Sequence, residues 1–499
     1  MVVFSYVFSL ALAAACVYLP FLLLTSVQPG LYALLIFAGG VVAAGTILWS
    51  LVPRQQKFSA PGIPLIRSEQ PRLFTELESI ALVLNEPMPA EVYLVPQANA
   101  FVAQHGGVMG FGSRRIIGLG LFLMRVLTVS QFRAVLAHEF GHYYSGDTRF
   151  GPWVYRARAA MGRTLANLAS ESSAMGVLAR VGAVRVVQHV VVQVLVEYWE
   201  VFMRLTQMAS REQELRADEL AGFVAGSQAL AGGLRTLEGI STAFSTFWET
   251  EAAPLFNAGW RAPLADGFAT FLTAPRVARD VSEHVARELA NPTAHPHDTH
   301  PPLRDRLAVL GVPDGSPPAP PADDPPATAL LVHLDALEQT LLKFIVPQID
   351  VAGLKWVSWE RLGREVSLPS WSGFVGTYRA LLADVLAGSL PEAVRRLPKL
   401  GTQIADLKGA LLAPEQRTER AASLLAMALG LALSRAGWEI CATPGQLYLE
   451  RENRRLNPFE IISELRSGAL TLENWTKECG AAGIAHLPLA PAPLTEVVQ

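Results

Sequence analysis

The chain has 499 residues, too many for one compact hydrophobic core, so two or three folded units are expected. Charged residues make up only 17% of the sequence, against ~25% in ordinary soluble proteins, and apolar residues make up 51%. A net charge of −3 argues against nucleic acid as a partner, and three cysteines without recognisable spacing exclude a disulfide scaffold. This composition predicts a membrane-associated protein with soluble parts.

The first 53 residues predict a transmembrane helical hairpin. Neither apolar run, Phe4–Thr25 or Leu31–Val52, contains a charged residue, and each is long enough to cross a hydrocarbon core of ~30 Å as a helix. The turn residues Ser26–Gly30 separate them. A cleaved signal peptide fits less well, because it needs a positively charged start and no second apolar run.

The distribution of basic residues predicts the orientation of this hairpin. The turn contains no Lys or Arg, whereas Arg54, Lys57, Arg67 and Arg72 follow the second apolar run. Positive residues stay on the cytoplasmic side, so both ends of the hairpin and the rest of the chain are expected there. The sequence therefore predicts a multi-pass inner-membrane protein, in contact with lipid, whose soluble part faces the cytoplasm.

A third apolar region, Val181–Met208, is interrupted by charged residues. Its longest uncharged run, Val186–Val196, has 11 residues, which is too short to cross the bilayer. We expect an amphipathic or buried helix here, and a helix that dips into the membrane remains an alternative.

Patterning after the hairpin predicts alternating helices and strands. Apolar spacing indicates a helix over Ser68–Leu84 and another over about Gln207–Ala225. Two short apolar runs predict strands, Glu91–Val95 and Arg115–Leu119. Thr128 and Gln131 form a capping-box pattern that starts a helix ending near Tyr144.

Proline-rich residues 311–328 predict an exposed linker before a separate C-terminal region, 329–499. That region shows helical patterns over Ala329–Val346 and Ala421–Ala436. The runs Trp438–Ala442 and Gln446–Glu450 flank Pro444-Gly445 and predict a hairpin. We expect a small binding or regulatory domain.

The sequence His138-Glu-Phe-Gly-His142 lies within the helix that starts at Thr128. Residues four apart share one helix face, so both imidazoles can bind a single Zn²⁺. Glu139 is then placed to act as a general base on the water that the ion activates. The spacing predicts a zinc site with two of its ligands.

A catalytic zinc site needs a third protein ligand, and Glu214 and Asp218 are candidates from another helix. They too are four residues apart, so Glu214 could bind zinc while Asp218 holds a ligand imidazole in place. Glu212, Glu214 and Glu219 could equally form a solvated charged face, and the spacing does not select among them.

The two motifs resemble those of the HtpX-like membrane zinc metallopeptidases, relatives of the CAAX prenyl endopeptidases, over about residues 1–310. The resemblance implies that Glu214 is the third zinc ligand and that Asp218 supports the ligands by hydrogen bonding without binding the ion. Members of that family usually have two further spans where this chain has the interrupted region 181–208.

Two shorter elements support the resemblance. Asn99-Ala100-Phe101 matches the element on the strand that edges the cleft and pairs with the substrate backbone. A His-Pro element followed by arginine matches His300 and Arg306, and implies that His300 donates to the tetrahedral intermediate with Arg306 assisting. A surface histidine is the alternative for His300.

The sequence thus predicts a mainly helical α+β protein. Its parts are a transmembrane hairpin (1–53), a zincin-type catalytic domain with a small β-sheet (54–310), a linker (311–328) and an α+β domain (329–499). The expected function is a membrane-anchored zinc endopeptidase acting on unfolded or membrane proteins. A catalytically silent zinc-containing scaffold, recruiting partners through the C-terminal domain, is the alternative.

Overall fold

The computed structural model describes residues 2–26, 30–52, 58–105, 114–144, 157, 160–168, 170, 182–291, 300–313, 323–408 and 413–490. Residues 314–322 of the predicted linker and Arg54 and Lys57 after the hairpin lie outside these ranges. Within them the chain is mainly helical, with three small sheets, as the sequence predicts.

Two apolar helices form the N-terminal hairpin, α1 (Val2–Ser26) and α2 (Leu31–Leu51). Both are long and apolar enough to cross a membrane, and most of their surface is not covered by protein. They pack closely because α2 has a glycine at the contact: a Cβ on Gly40 would lie 2.0 Å from the Cys16 carbonyl oxygen. The predicted apolar helix pair is confirmed.

The four-stranded sheet comprises β1 (Ile63–Leu65), β2 (Glu91–Val95), β3 (Ala100–His105) and β4 (Arg114–Gly120). Its order is β1-β2-β4-β3, with β2 and β4 parallel and the other pairs antiparallel. The strand β3 therefore lies at an edge. The helices beside the sheet are α3 (Pro71–Val83), α4 (Leu121–Val126) and α5 (Val129–Tyr144).

The start of α5 is fixed by hydrogen bonds from two parts of the chain. The predicted capping box forms: the Thr128 N–H donates to Gln131 Oε1 at 3.2 Å, and the Gln131 N–H donates to Thr128 Oγ1 at 3.4 Å. The Val129 N–H donates to the Pro325 carbonyl at 2.9 Å. Asp324 accepts from the Ser130 N–H at 3.2 Å and from the Ser130 hydroxyl. Part of the predicted linker therefore caps this helix.

One helix of 44 residues, α6 (Gly182–Ala225), replaces the two segments that the sequence predicts on either side of residue 207. Its first half packs against the hairpin, where Val184, Val191 and Leu195 join a core with Ala43 and Ile47. Although its longest uncharged run has 11 residues, the helix is by length and composition long and apolar enough to cross a membrane, because scattered charges leave a sufficiently apolar window. The expectation of an amphipathic or buried helix, with a membrane-dipping helix as the alternative, stays a prediction.

The remaining helices are α7 (Ser227–Phe247), α8 (Ala253–Asn257), α9 (Leu264–Thr273), α10 (Pro275–Ala290), α11 (Leu303–Val309), α12 (Leu334–Ile345), α13 (Trp359–Leu362), α14 (Leu368–Thr377), α15 (Leu390–Arg395), α16 (Leu397–Lys408), α17 (Pro414–Arg435), α18 (Pro458–Ser467) and α19 (Leu472–Ala482). The remaining strands are β5 (Trp260–Arg261), β6 (Lys355–Trp356), β7 (Glu439–Thr443), β8 (Gln446–Arg451) and β9 (Arg454–Leu456). The predicted C-terminal hairpin is β7–β8.

The chain forms two compact units whose boundaries differ from the predicted domains. One unit comprises Met1–Ser241 with Ser282–Pro347, and the other Thr242–Val281 with Gln348–Gln499. The division differs because residues 323–347 pack with the first unit, where Ala327 donates its N–H to the Leu127 carbonyl. In the second unit, α17 forms the centre of the core, and buried Trp475 donates its indole N–H to the Ala387 carbonyl at 2.9 Å.

We predict that Asp324→Ala lowers the free energy of unfolding of the first unit by ~1 kcal/mol, the usual contribution of a helix cap. Although partial burial would raise the pKa of Asp324, hydrogen bonds from Ser130 and Thr128 outweigh it and lower the pKa. The stabilisation is therefore present at neutral pH and is lost as the pH falls through the folded-state pKa, below 3.8.

Denaturation of the detergent-solubilised chain at pH 7 and in acid measures this effect. The matched control is Asp323→Ala, at the neighbouring exposed carboxylate. Equal stability of the Asp324 and Asp323 variants at pH 7 would contradict the capping role.

Candidate metal centre

Two helices bring three potential metal ligands together. His138 and His142 lie one turn apart on α5, and Glu214 lies on α6. Glu214 Oε2 is 3.4 Å from His138 Nε2, and Oε1 is 3.6 Å from His142 Nε2. One donor atom from each residue lies within 4.8 Å of the others. The structure therefore joins the two sequence motifs at one point, with Glu214 facing the imidazoles.

A glycine permits this close approach of α5 to α6. A Cβ added at Gly141 would lie 3.0 Å from the Ala217 Cα and 3.1 Å from its Cβ. Both contacts are tighter than ordinary van der Waals packing, so the two backbones meet only because both residues are small. Gly141 lies between the two histidines in sequence, and Ala217 lies one turn after Glu214, so this contact sets the distance across the site.

Asp218 holds the first imidazole by hydrogen bonding. Its Oδ1 is 2.9 Å from His138 Nδ1. With a proton on Nδ1, the other ring nitrogen, Nε2, is left to face Glu214. Asp218 is completely buried, so its carboxylate needs a compensating charge.

Arg306 on α11 provides that charge. Its Nε and Nη2 donate to the two carboxylate oxygens of Asp218, each at 2.7 Å. The Arg306 side chain is only 11% exposed, and Nη2 is 3.4 Å from both ring nitrogens of His138. Burial would lower the pKa of Arg306, but the hydrogen bonds to Asp218 raise it, so the guanidinium is charged.

His300 contacts a metal-ligand candidate directly. Its Nδ1 is 2.7 Å from Glu214 Oε2, and its side chain is 61% exposed. The sequence expectation placed it beside the cleft as a donor to the substrate, and it does line the cleft. The contact with Glu214 could not be inferred from a lone His-Pro element.

Glu139 lies on the cleft side of α5 next to the first imidazole. Burial raises the pKa of its carboxyl group to about 7, although His138 and a hydrogen bond from the backbone of Val102 act in the opposite direction. A carboxyl group with a pKa near neutrality can both accept and return a proton, which general acid–base chemistry requires.

The pKa values of His138 and His142 are shifted in opposite directions. Burial would lower the pKa of His138, but its hydrogen bonds to Asp218 and Glu214 outweigh this and raise the pKa to about 9. Burial and the neighbouring His138 lower the pKa of His142 to about 4. The two imidazole nitrogens and the Glu214 carboxylate are together the donor set of His₂Glu zinc sites.

The site opens into a cleft of about 250 Å³. Asn99 and Ala100 line it, whereas the Phe101 ring packs with Tyr93 and Ile116 away from it. The Gly120 N–H donates to the Asn99 carbonyl at 2.9 Å, so by antiparallel alternation the peptide groups of Ala100 face the free edge of β3.

A further wall of the cleft was not identified from the sequence. It is one face of α7, formed by Leu230, Leu234, Leu237, Glu238 and Ser241. The spacing of its leucines indicates an amphipathic helix, but nothing in that spacing connects the helix to the metal ligands, which lie on other elements.

Part of this chain is similar to known peptidases. The model of Peptidase family M48 matches residues 67–313. Two curated relatives, each a "Protease HtpX homolog", from Tropheryma whipplei strains Twist and TW08/27, are 31% identical over 102 residues. The match covers 19% of this chain, which spans about a third (32%) of the length of these relatives.

Among solved structures, the crystal structure of S. mikatae Ste24p is 16% identical and covers 61% of this chain and 64% of its own, with a TM-score of 0.28. The family match begins just before α3 and ends just after α11. It therefore includes His138, His142 and Glu214. Through residues 67–313, the chain belongs to peptidase family M48.

Proposed function

We propose that this protein is a membrane-anchored, zinc-dependent endopeptidase that hydrolyses peptide bonds in unfolded or membrane proteins. The observation that carries the proposal is the convergence of His138, His142 and Glu214 beside a cleft that also contains Glu139. A scaffold with structural zinc would need neither a cleft nor an acid–base group at its edge.

His138, His142 and Glu214 would hold the zinc ion, which when bound supplies Lewis-acid activation of water and of the scissile carbonyl. Glu139 takes a proton from the attacking water and returns it to the leaving amine. His300 has one ring nitrogen at Glu214 and a second that can donate to the developing oxyanion. Arg306 acts as a positioning residue through Asp218.

The free edge of β3 would hold the substrate. An extended peptide can add to a sheet edge through main-chain hydrogen bonds, which carry little sequence information. Asn99 and Ala100 line the cleft, which supports this mode of binding. An extended strand is available only in unfolded or unstructured segments, so we infer that these are the substrates.

The proposed location is the inner membrane, with the peptidase unit in the cytoplasm. Support comes from α1 and α2, which have the length and composition of spanning helices, and from the basic residues that follow them. The hairpin would keep the cleft close to the lipid surface and to membrane-protein substrates.

Glu139→Gln is expected to reduce cleavage roughly 10²–10⁴-fold, because the amide cannot accept the proton of the attacking water. Zinc content per chain is expected to remain at the wild-type value, because Glu139 is not among the three ligands. Hydrolysis of a casein-like unfolded protein and elemental analysis measure both. Glu69→Gln, an exposed acid, serves as the control, and full activity in the Glu139 variant would contradict the mechanism.

Glu214→Ala is expected to abolish both stoichiometric zinc binding and cleavage, because two imidazoles alone hold the ion too weakly. Glu212→Ala is the matched control: it removes an exposed carboxylate two residues earlier on the same helix. Zinc affinity is measured by competition with a chromogenic chelator. Wild-type affinity in the Glu214 variant would exclude the proposed third ligand.

Gly141→Ala is expected to weaken zinc binding without removing any ligand. The added methyl group forces α5 away from Ala217 and costs about 1–3 kcal/mol of stability. The double variant Gly141→Ala/Ala217→Gly should recover part of both losses, because it removes one of the two close contacts. Chelator competition and thermal unfolding measure the changes. Unaltered zinc affinity in Gly141→Ala would show that the helix spacing does not control the site.

A further inference from the structure

The wall of the cleft on α7 combines an apolar surface with one acid. Leu230, Leu234, Leu237 and Glu238 recur at helical spacing, so they form one face of the helix. Leu230 and Leu234 are almost completely buried, at 0% and 4% exposure, so they fix the helix from beneath, and half-buried Leu237 presents the accessible apolar surface beside Glu238. The same cleft contains Glu139, so any substrate that reaches the acid–base group also meets this wall.

A residue of helix α10 holds the Glu238 side chain in place. His284 on α10 has its Nε2 3.2 Å from Glu238 Oε1, while the Glu238 side chain keeps 36% of its surface exposed. The carboxylate is thus oriented but still open to the cleft. Arg306 and His138, which line the same cleft, are both bound to Asp218.

We propose that this wall is a subsite that selects a lysine or arginine side chain of the substrate. The inference rests on the proposed function and names a specificity-determining residue for it, Glu238. The aliphatic stem of a basic residue would lie along Leu237, and its cation would meet the Glu238 carboxylate. An uncharged apolar side chain of the same length would cover Leu237 but desolvate Glu238 without compensation. An acidic side chain would be repelled.

This preference fits substrates in the membrane. Cytoplasmic loops of membrane proteins carry an excess of Lys and Arg close to the ends of their spans. An enzyme held at the membrane by a hairpin, with a subsite for basic side chains, would meet its preferred residues where those loops leave the bilayer.

The test uses the full-length, zinc-loaded protein in detergent and a set of unstructured fluorogenic peptides. The peptides are identical except at one position, scanned across the scissile bond, which carries lysine, norleucine or glutamate. At one position we expect kcat/KM to be about tenfold higher for lysine than for norleucine, as for a charge-assisted contact, and lowest for glutamate.

Glu238→Gln should make the lysine and norleucine peptides equal, and Glu238→Lys should reverse the order of lysine and glutamate. Glu283→Gln, an exposed acid beside His284 in sequence, is the matched control and should keep the wild-type order. Equal rates for lysine and norleucine at every position in the wild type, or a lysine preference that survives in Glu238→Gln, would overturn the proposal.

A peptide-binding measurement distinguishes failure of the proposed subsite from failure of the proposed endopeptidase function. The Glu139→Gln protein is titrated with the same peptides by fluorescence anisotropy. If the wild type cleaves no peptide, the endopeptidase proposal fails. Tighter binding of the lysine peptide that is lost in Glu139→Gln/Glu238→Gln would still support the subsite, and equal binding of all three peptides would reject it.

Discussion

The candidate metal centre depends on one contact between two helix backbones, that of Gly141 with Ala217. A His₂Glu site built from two helices requires that a short carboxylate side chain on one helix reach imidazoles on the other. Because neither residue at the crossing has a side chain larger than a methyl group, Glu214 lies within 3.4–3.6 Å of both imidazoles. A larger residue at either position would separate the ligands by more than their side chains could recover.

Buried charge imposes a second constraint on the same helices. Asp218 is buried completely and Glu214 nearly so, and a buried carboxylate without a partner is strongly destabilising. Arg306 neutralises Asp218 through two parallel hydrogen bonds, and His138 lies against both carboxylates. Arg306 therefore allows the Asp218 carboxylate to stay ionised in a buried position, and it does so without being one of the three candidate ligands. A lysine could not replace it, because a single ammonium group cannot bond both oxygens in this planar arrangement.

Local patterns in the sequence predicted the elements that carry the site. The strands β2 and β4, the apolar helix pair and the capping box at Thr128 follow from periodicity and short-range hydrogen bonding. Geometry within one helix placed His138 beside His142. The meeting of α5 with α6 is a long-range contact, and the residues themselves did not select Glu214 from its acidic neighbours; the family resemblance did.

Three features could not be read from local patterns. The continuity of α6 depends on its packing against the hairpin, which stabilises a helix across charged positions that look like interruptions. The role of Asp324 depends on a segment returning to a helix almost two hundred residues earlier. Glu238 and the leucines of α7 line the cleft only because of tertiary folding, since their sequence resembles any amphipathic helix.

The length of α6 connects the N-terminal hairpin to the candidate metal centre. The helix packs against the hairpin as far as Leu195 and carries Glu214 nineteen residues later, roughly 28 Å along the same axis, with no break between them. Because α6 is one continuous helix, it transmits a change in tilt along its whole length. A change in tilt where α6 packs against the hairpin would therefore displace the Glu214 carboxylate. If the hairpin lies in a bilayer, as proposed above, the bilayer thickness and lipid order that set the tilt of apolar helices would act through α6 on the spacing of the three candidate ligands.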